Sequence, residues 1–119
     1  LEKELYAFSF ELGIDIETFQ SNFEGEIVEK IHSSKDNFDG IIINAGAYTH
    51  TSIAIRDAIS SINVPTVEVH MTNIYKREEF RHHSYLAGVC VGQISGFGIN
   101  SYKLGIKAVV DYINTNDNE

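Results

Sequence analysis

The chain has 119 residues, enough for one domain with a single core. Its apolar content of 43% and charged content of 22% are those of a globular protein, and no apolar run is long enough to span a bilayer. The net charge of −8 excludes the basic face through which nucleic acid is held.

Leu1 to Leu12 reads as a helix, with Leu1, Leu5, Phe8 and Leu12 on one stripe and Gly13 as its C-terminal stop. Ile14 to Thr18 alternates and predicts a strand with one wetter face. Ser21-Asn-Phe-Glu24 carries a capping-box signature, and Ile27, Val28 and Ile31 form the stripe of the helix it would open. After a turn at Lys35–Asn37, Phe38 to Ile43 is a continuous apolar run and predicts a buried parallel strand. A glycine-bearing loop leads to a helix with Thr51 or Ser52 as cap and Ile55, Ala58, Ile59 and Ile62 as its stripe. Pro65 ends that helix and precedes a β-branched strand, Thr66 to His70.

A dense polar loop follows. It holds Lys76, Arg77 and Arg81, two adjacent histidines (His82, His83) and Ser84. Val89 to Ile94 predicts another strand, Gly96 to Gly98 a turn, and Asn100 or Ser101 caps a last helix. Tyr102, Ile106, Val109, Val110 and Ile113 face its inner side, and Thr115 to Glu119 reads as a polar tail. The alternation of strands and helices predicts a parallel α/β sandwich with helices on both faces. The opening helix has no strand before it, so a central first strand is expected upstream of Leu1. The start lacks the basic and apolar regions of a signal peptide. The single cysteine, Cys90, lies in an apolar run and reads as a core residue of a protein in a reducing cytoplasm.

Two strand ends carry the chemistry, because open α/β folds bind ligands beyond the carboxyl ends of their strands. Glu68 and His70 are two apart and share a strand face, so the carboxylate can fix the imidazole tautomer and favour its use as a general acid. In Asn44 to Ser52, the small Ala45-Gly46-Ala47 lets a ligand approach the backbone, and Asn44 and His50 offer hydrogen bonds. The helix start just beyond offers free N–H groups to a carboxylate. Arg81 can grip a carboxylate or a pair of hydroxyls with its planar fork. Lys76 and Arg77 fit either a basic pocket for a small anion or pairing with Glu78, Glu79 and a neighbouring subunit. No HExxH or other recognised metal-ligand spacing occurs, so His82 and His83 are read as making structural hydrogen bonds or subunit contacts.

IIINAGAYTHTSIAIRDAI followed by VPTVEVHMTNIYKREEFRHHSYL, with FQSNFEGEIVEKIH upstream, resembles type II 3-dehydroquinate dehydratase along essentially the whole chain. The resemblance implies a flavodoxin-like three-layer sandwich with a parallel sheet, as one catalytic domain over residues 1–119. It implies reversible dehydration of 3-dehydroquinate to 3-dehydroshikimate through an enolate, in the shikimate pathway or quinate catabolism, without metal or organic cofactor. His70 would be the acid that protonates the leaving hydroxyl, Glu68 its orienting partner, and Asn44 the residue that binds substrate and an ordered water. His50 and Arg81 would bind hydroxyls, and Met71 and Thr72 would hold the substrate carboxylate. Asp57 would reach a neighbouring subunit's site in a dodecamer built as a tetramer of trimers. The family's first strand, its lid arginine and the lid tyrosine that serves as base are expected outside these 119 residues, and Ala45 stands where the family more often has proline. The alternative is a non-catalytic small-anion-binding or assembly module of the same fold.

Overall fold

The computed structural model describes residues 1–117, with four α-helices and three strands joined by turns and short 3-10 segments: α1 (Glu2–Leu12), α2 (Glu24–Ser33), β1 (Ile41–Ile43), α3 (Ile53–Ile62), β2 (Thr66–His70), β3 (Gly92–Ser95) and α4 (Asn100–Asp117). The strands form one parallel sheet in the order β1-β2-β3. The register sets Ile43 beside Glu68 and His70 beside Ser95. Parallel pairing brings all the carboxyl ends to one edge, where the chain must leave the sheet and polar side chains are released.

Both faces of the sheet are covered, as expected. On one side Ile31 of α2 and Ile55, Ala58, Ile59 and Ile62 of α3 pack with Ile43 and Leu86. On the other, Val109 of α4 packs on Val67 and Val69, with Ile42, Ile94, Tyr102 and Ile113 around them. Every residue of β2 is buried, since it is the central strand. Gly105 lets α4 approach closely; a Cβ there would sit 2.7 Å from Val69 Cγ1. Ile55 is fully buried at the centre of the α2–α3 side. Truncation to alanine there should cost about 2–5 kcal/mol, from lost transfer energy plus the cavity left behind. A chemical denaturation midpoint read against wild type measures it; a loss below about 1 kcal/mol would mean the site collapses around the gap.

Several sequence expectations are corrected. Ile14 to Thr18 forms no strand: it alternates in exposure but pairs with no neighbour, and its first amide bonds back to Ser9 of α1. Alternation reports an extended, half-covered segment and does not supply a ladder. The capping box is absent too. Phe23 is the cap residue of α2, while the Ser21 hydroxyl accepts from the Phe23 amide and donates to Glu26. The stripe of α1 is narrower than its spacing suggests, with Leu1 and Leu12 exposed and Leu5 and Ser9 buried. The run before Asn44 gives a strand only over Ile41–Ile43, on the outer edge of the described sheet and half-buried at Ile41 and Ile42. Ala87–Val89 is a 3-10 turn, so β3 begins at Gly92, three residues late. Ser101 lies inside α4, where its buried hydroxyl accepts from the Phe97 amide. Helix α4 continues through Thr115 to Asp117, and the last two residues of the expected tail lie outside the described residues. The cap of α3 is as read: Ser52 Oγ accepts from the Ile55 amide at 2.9 Å.

Candidate active site

Strand β2 ends on Glu68-Val69-His70, and its pleat puts Glu68 and His70 on one face. The Glu68 carboxylate has no exposed surface. Four hydrogen bonds from three side chains satisfy it. His70 Nε2 meets Oε2 at 2.5 Å, Gln93 Nε2 donates to Oε2 at 2.9 Å, and the Ser84 hydroxyl is shared between Oε1 (2.9 Å) and Oε2 (3.0 Å). Burial pushes the Glu68 carboxyl up, but the bonds from His70, Gln93 and Ser84 and the His70 charge outweigh it and hold it below its ordinary value. A carboxylate at that position requires Nε2 of His70 to be the protonated nitrogen. Nδ1 is the ring nitrogen left to exchange a proton with a ligand.

His70 opens on a cavity of about 220 Å³ between the ends of β1 and β2. Asn44, Gly46, Ala47 and His50 line one wall, and Met71, Thr72, Ile74, Arg77 and Arg81 the other. Behind β1 the chain enters a 3-10 turn, Gly46–His50, with Gly46 at φ +57°. This turn separates the cavity from the start of α3, so the helix N-terminus expected to hold a carboxylate does not line it. Asn44 is clamped in one orientation: the Gly46 amide donates to Oδ1 at 3.1 Å and Nδ2 donates to the Tyr102 hydroxyl at 2.8 Å. His50 Nδ1 donates to the carbonyl of His83 at 2.8 Å, which leaves Nε2 as an acceptor in the neutral ring. Its ring stacks against that of His70 at 6.3 Å.

The other wall is tied down by the turn after β3. The carbonyls of His70, Met71 and Thr72 accept from Gly96 N, Gly98 N and Ser95 Oγ, at 3.1, 2.9 and 3.1 Å. Gly96 has φ +99°, and a Cβ there would lie 3.2 Å from Asn73 Cβ, so both backbone freedom and the close approach call for glycine.

Arg81 Nε donates to Glu78 at 2.6 Å, and its guanidinium lies 5.0 Å from the centre of the Phe80 ring. That bond holds Glu78 below the ordinary carboxylate value. Arg81 therefore both pairs locally and lines the cavity. Arg77 lines it as well, while Lys76 does not, which divides the two cations the sequence left open.

Asp57 stands on the exposed side of α3, paired with Arg56 at 2.9 Å and outside the cavity of its own chain. His82 and His83 stay out of the cavity. The His82 ring packs on Tyr75 at 5.5 Å, with Nε2 at 3.2 Å from the Arg77 carbonyl, and the His83 ring meets Tyr85 edge-on. Cys90 is half-buried; burial, reinforced by the Glu68 charge, pushes its thiol up to about 12, which fits a packing residue and not a nucleophile. Sequence reasoning missed Tyr102, Gln93 and the bond from Ser84 to Glu68. Each is brought in by a contact across at least 16 positions of chain, which local pattern cannot report.

The family model for class II dehydroquinases matches residues 1–110. A 3-dehydroquinate dehydratase of Trichodesmium erythraeum is 66% identical over 102 residues, covering 86% of this chain and 68% of its own length. That of Carboxydothermus hydrogenoformans is 51% identical over 119 residues, which are 100% of this chain and 77% of the relative. Among solved structures, the type II dehydroquinase of Butyrivibrio crossotus superposes with a TM-score of 0.89 at 44% identity, covering 91% of this chain and 76% of that one. That of Propionibacterium acnes gives 0.85 at 37% identity, over 94% and 75%. Type II dehydroquinases have the flavodoxin-like fold, and the three-stranded parallel sheet with helices on both faces is laid out accordingly. By match length, identity and superposition, this chain belongs to the class II dehydroquinase family.

Proposed function

We propose that the chain catalyses the dehydration of 3-dehydroquinate to 3-dehydroshikimate, a hydro-lyase step of the shikimate pathway. The observation that carries this reading is the buried Glu68–His70 pair at the mouth of a cavity walled by Asn44 and His50 on one side and Arg77 and Arg81 on the other. In the reaction the C2–H bond breaks to give an enolate, the C1–O bond breaks, and a C1=C2 double bond forms. The C1 hydroxyl needs a proton to leave as water. His70 supplies it from Nδ1 when the ring is protonated on both nitrogens, with Nε2–H held on the Glu68 carboxylate, and is left as the neutral Nε2–H form.

The remaining roles follow from chemistry and position. Asn44, with its amide fixed, keeps one Nδ2 hydrogen and one Oδ1 lone pair for the enolate oxygen or a water beside it. His50 accepts from a ring hydroxyl at Nε2. Met71 and Thr72 take the substrate carboxylate where the positive field of Arg77 and Arg81 favours an anion. Arg81 uses its terminal nitrogens for a hydroxyl pair. Asp57, turned away from its own cavity, suits a contact into a neighbouring copy, and a dodecamer of four trimers would provide one. The outer edge of β1, unpaired among the described residues, fits the first strand that the resemblance implies, and the C2 base is assigned with it to a lid tyrosine. The single half-buried thiol suits a reducing cytoplasm.

The test is direct. Mixing the protein with 3-dehydroquinate should raise near-ultraviolet absorbance as the conjugated enone forms, and calorimetry should register binding. Binding without any absorbance change from the intact enzyme would refute the catalytic reading; neither signal would refute the substrate as well.

A further inference from the structure

The hydrogen bonds around Glu68 do more than satisfy a buried charge. Oε2 receives His70, Gln93 and part of the Ser84 proton, while Oε1 receives the rest. Gln93 comes from β3, across the sheet, where the register sets it beside Glu68. Ser84 comes from the loop on the other side, and its oxygen also accepts from the Leu86 and Ala87 amides at 3.0 and 3.1 Å. With two acceptances in place, the hydroxyl proton is directed at the carboxylate and nowhere else. The residues flanking Ser84 tie the same loop to the opposite wall: the His83 carbonyl accepts from His50, and the Tyr85 amide donates to the Thr49 carbonyl at 2.9 Å.

We propose that Ser84 and Gln93 are positioning residues: together they hold Glu68 as a carboxylate with Oε2 on His70, and so fix which ring nitrogen of His70 faces the cavity. The titratable groups facing Glu68 are His70 on its own strand and the Cys90 thiol from the segment before β3. His50 faces His70 in turn from the loop after β1. Neither the thiol nor His50 offsets a lost donor: the thiol is uncharged at neutral pH and makes no hydrogen bond to Glu68, and His50 is bonded to His83. Removing either donor leaves burial less opposed, and the carboxyl becomes easier to protonate. A protonated Glu68 can donate to Nε2, which moves the imidazole proton to Nδ1 and reverses the tautomer.

This proposal rests on the assignment of His70 as the acid, but its test needs no turnover. Protein labelled with ¹⁵N-histidine and ¹³C-glutamate is titrated by NMR as wild type, Gln93→Met, Ser84→Ala and Ser84→Thr. In wild type the neutral ring of His70 should be the Nε2–H tautomer, and the Glu68 carboxyl should titrate below the ordinary range. In Gln93→Met and Ser84→Ala the Glu68 midpoint should rise by about one unit or more, with the Nδ1–H form of His70 growing in as it does. Ser84→Thr, which keeps the hydroxyl, should restore the wild-type pattern. Gln93→Met leaves the Ser84 turn intact, so it decides the matter if Ser84→Ala does not fold. An unchanged Glu68 midpoint and an unchanged tautomer in folded Gln93→Met would overturn the proposal. Absent turnover alongside these shifts would count against the catalytic assignment alone.

Discussion

His70→Ala should lower kcat by about 10²–10⁴-fold, the contribution of one positioned proton donor, while 3-dehydroquinate still binds. The argument is geometric. His70 lines the cavity but supplies only one edge of it, and the groups proposed to hold the substrate's carboxylate and hydroxyls lie on Met71, Thr72, His50 and Arg81. Removing the imidazole leaves them in place, so the loss should fall on kcat and leave KM within a few-fold. It should also be partial in one instructive respect. The acid is needed to expel the C1 hydroxyl, not to remove the C2 proton. Exchange of the C2 hydrogen with solvent deuterium should therefore survive in His70→Ala after dehydration has become slow. A variant with unaltered turnover, or one that loses exchange and dehydration together, would remove His70 from the acid role.

Much of this site was legible from local pattern, for physical reasons that can be named. The pleat of a strand puts Glu68 and His70 on one face whatever the rest of the fold does, and a strand's carboxyl end releases polar side chains. The α3 stripe was readable because Ile55, Ala58, Ile59 and Ile62 sit at helical spacing and bury together, with Ser52 capping the first turn. What local pattern could not supply were partners. Ile14 to Thr18 has the alternation of a strand without a neighbouring strand to bond. Ser21 and Glu24 have the spacing of a capping box, but Ser21 bonds Glu26 instead. Gln93 looked like one polar position in a weak strand, and only the β2–β3 register reveals that its amide reaches Glu68. Arg77 and Lys76 are neighbours in sequence with equal claims on an anion, and the 3-10 turn between Ile74 and Lys76 decides which of them meets the cavity. The substrate lay beyond pattern altogether; it came from family resemblance, and the family match and the superposed structures carry that membership.

Glu68→Ala should cost about 3–5 kcal/mol at neutral pH, the range for removing one partner of a buried ionic hydrogen-bonded group. That is a large share of the roughly 5–15 kcal/mol that holds a domain of this size together, and the midpoint of thermal unfolding should drop by about 10 °C or more. The cause is what the carboxylate leaves behind. His70, Gln93 and Ser84 all aim donors at it from buried or half-buried positions, and alanine offers no acceptor and opens a void at the centre of the sheet. The effect must also depend on pH with a fixed sign. Glu68 titrates below its ordinary value of 4.5 in the folded protein, so the unfolded chain takes up the proton first as pH falls. Its ionised form therefore contributes stability fully above about 4.5, and that contribution drains away as pH drops through the lower folded value. Glu68→Gln, which cannot ionise, should be less stable than wild type at pH 7, and the gap between the two should narrow steadily below pH 4.5. Urea unfolding of both proteins across that range measures it. A gap that stays constant or widens in acid would mean that the buried carboxylate is not held in its ionised form by its three donors.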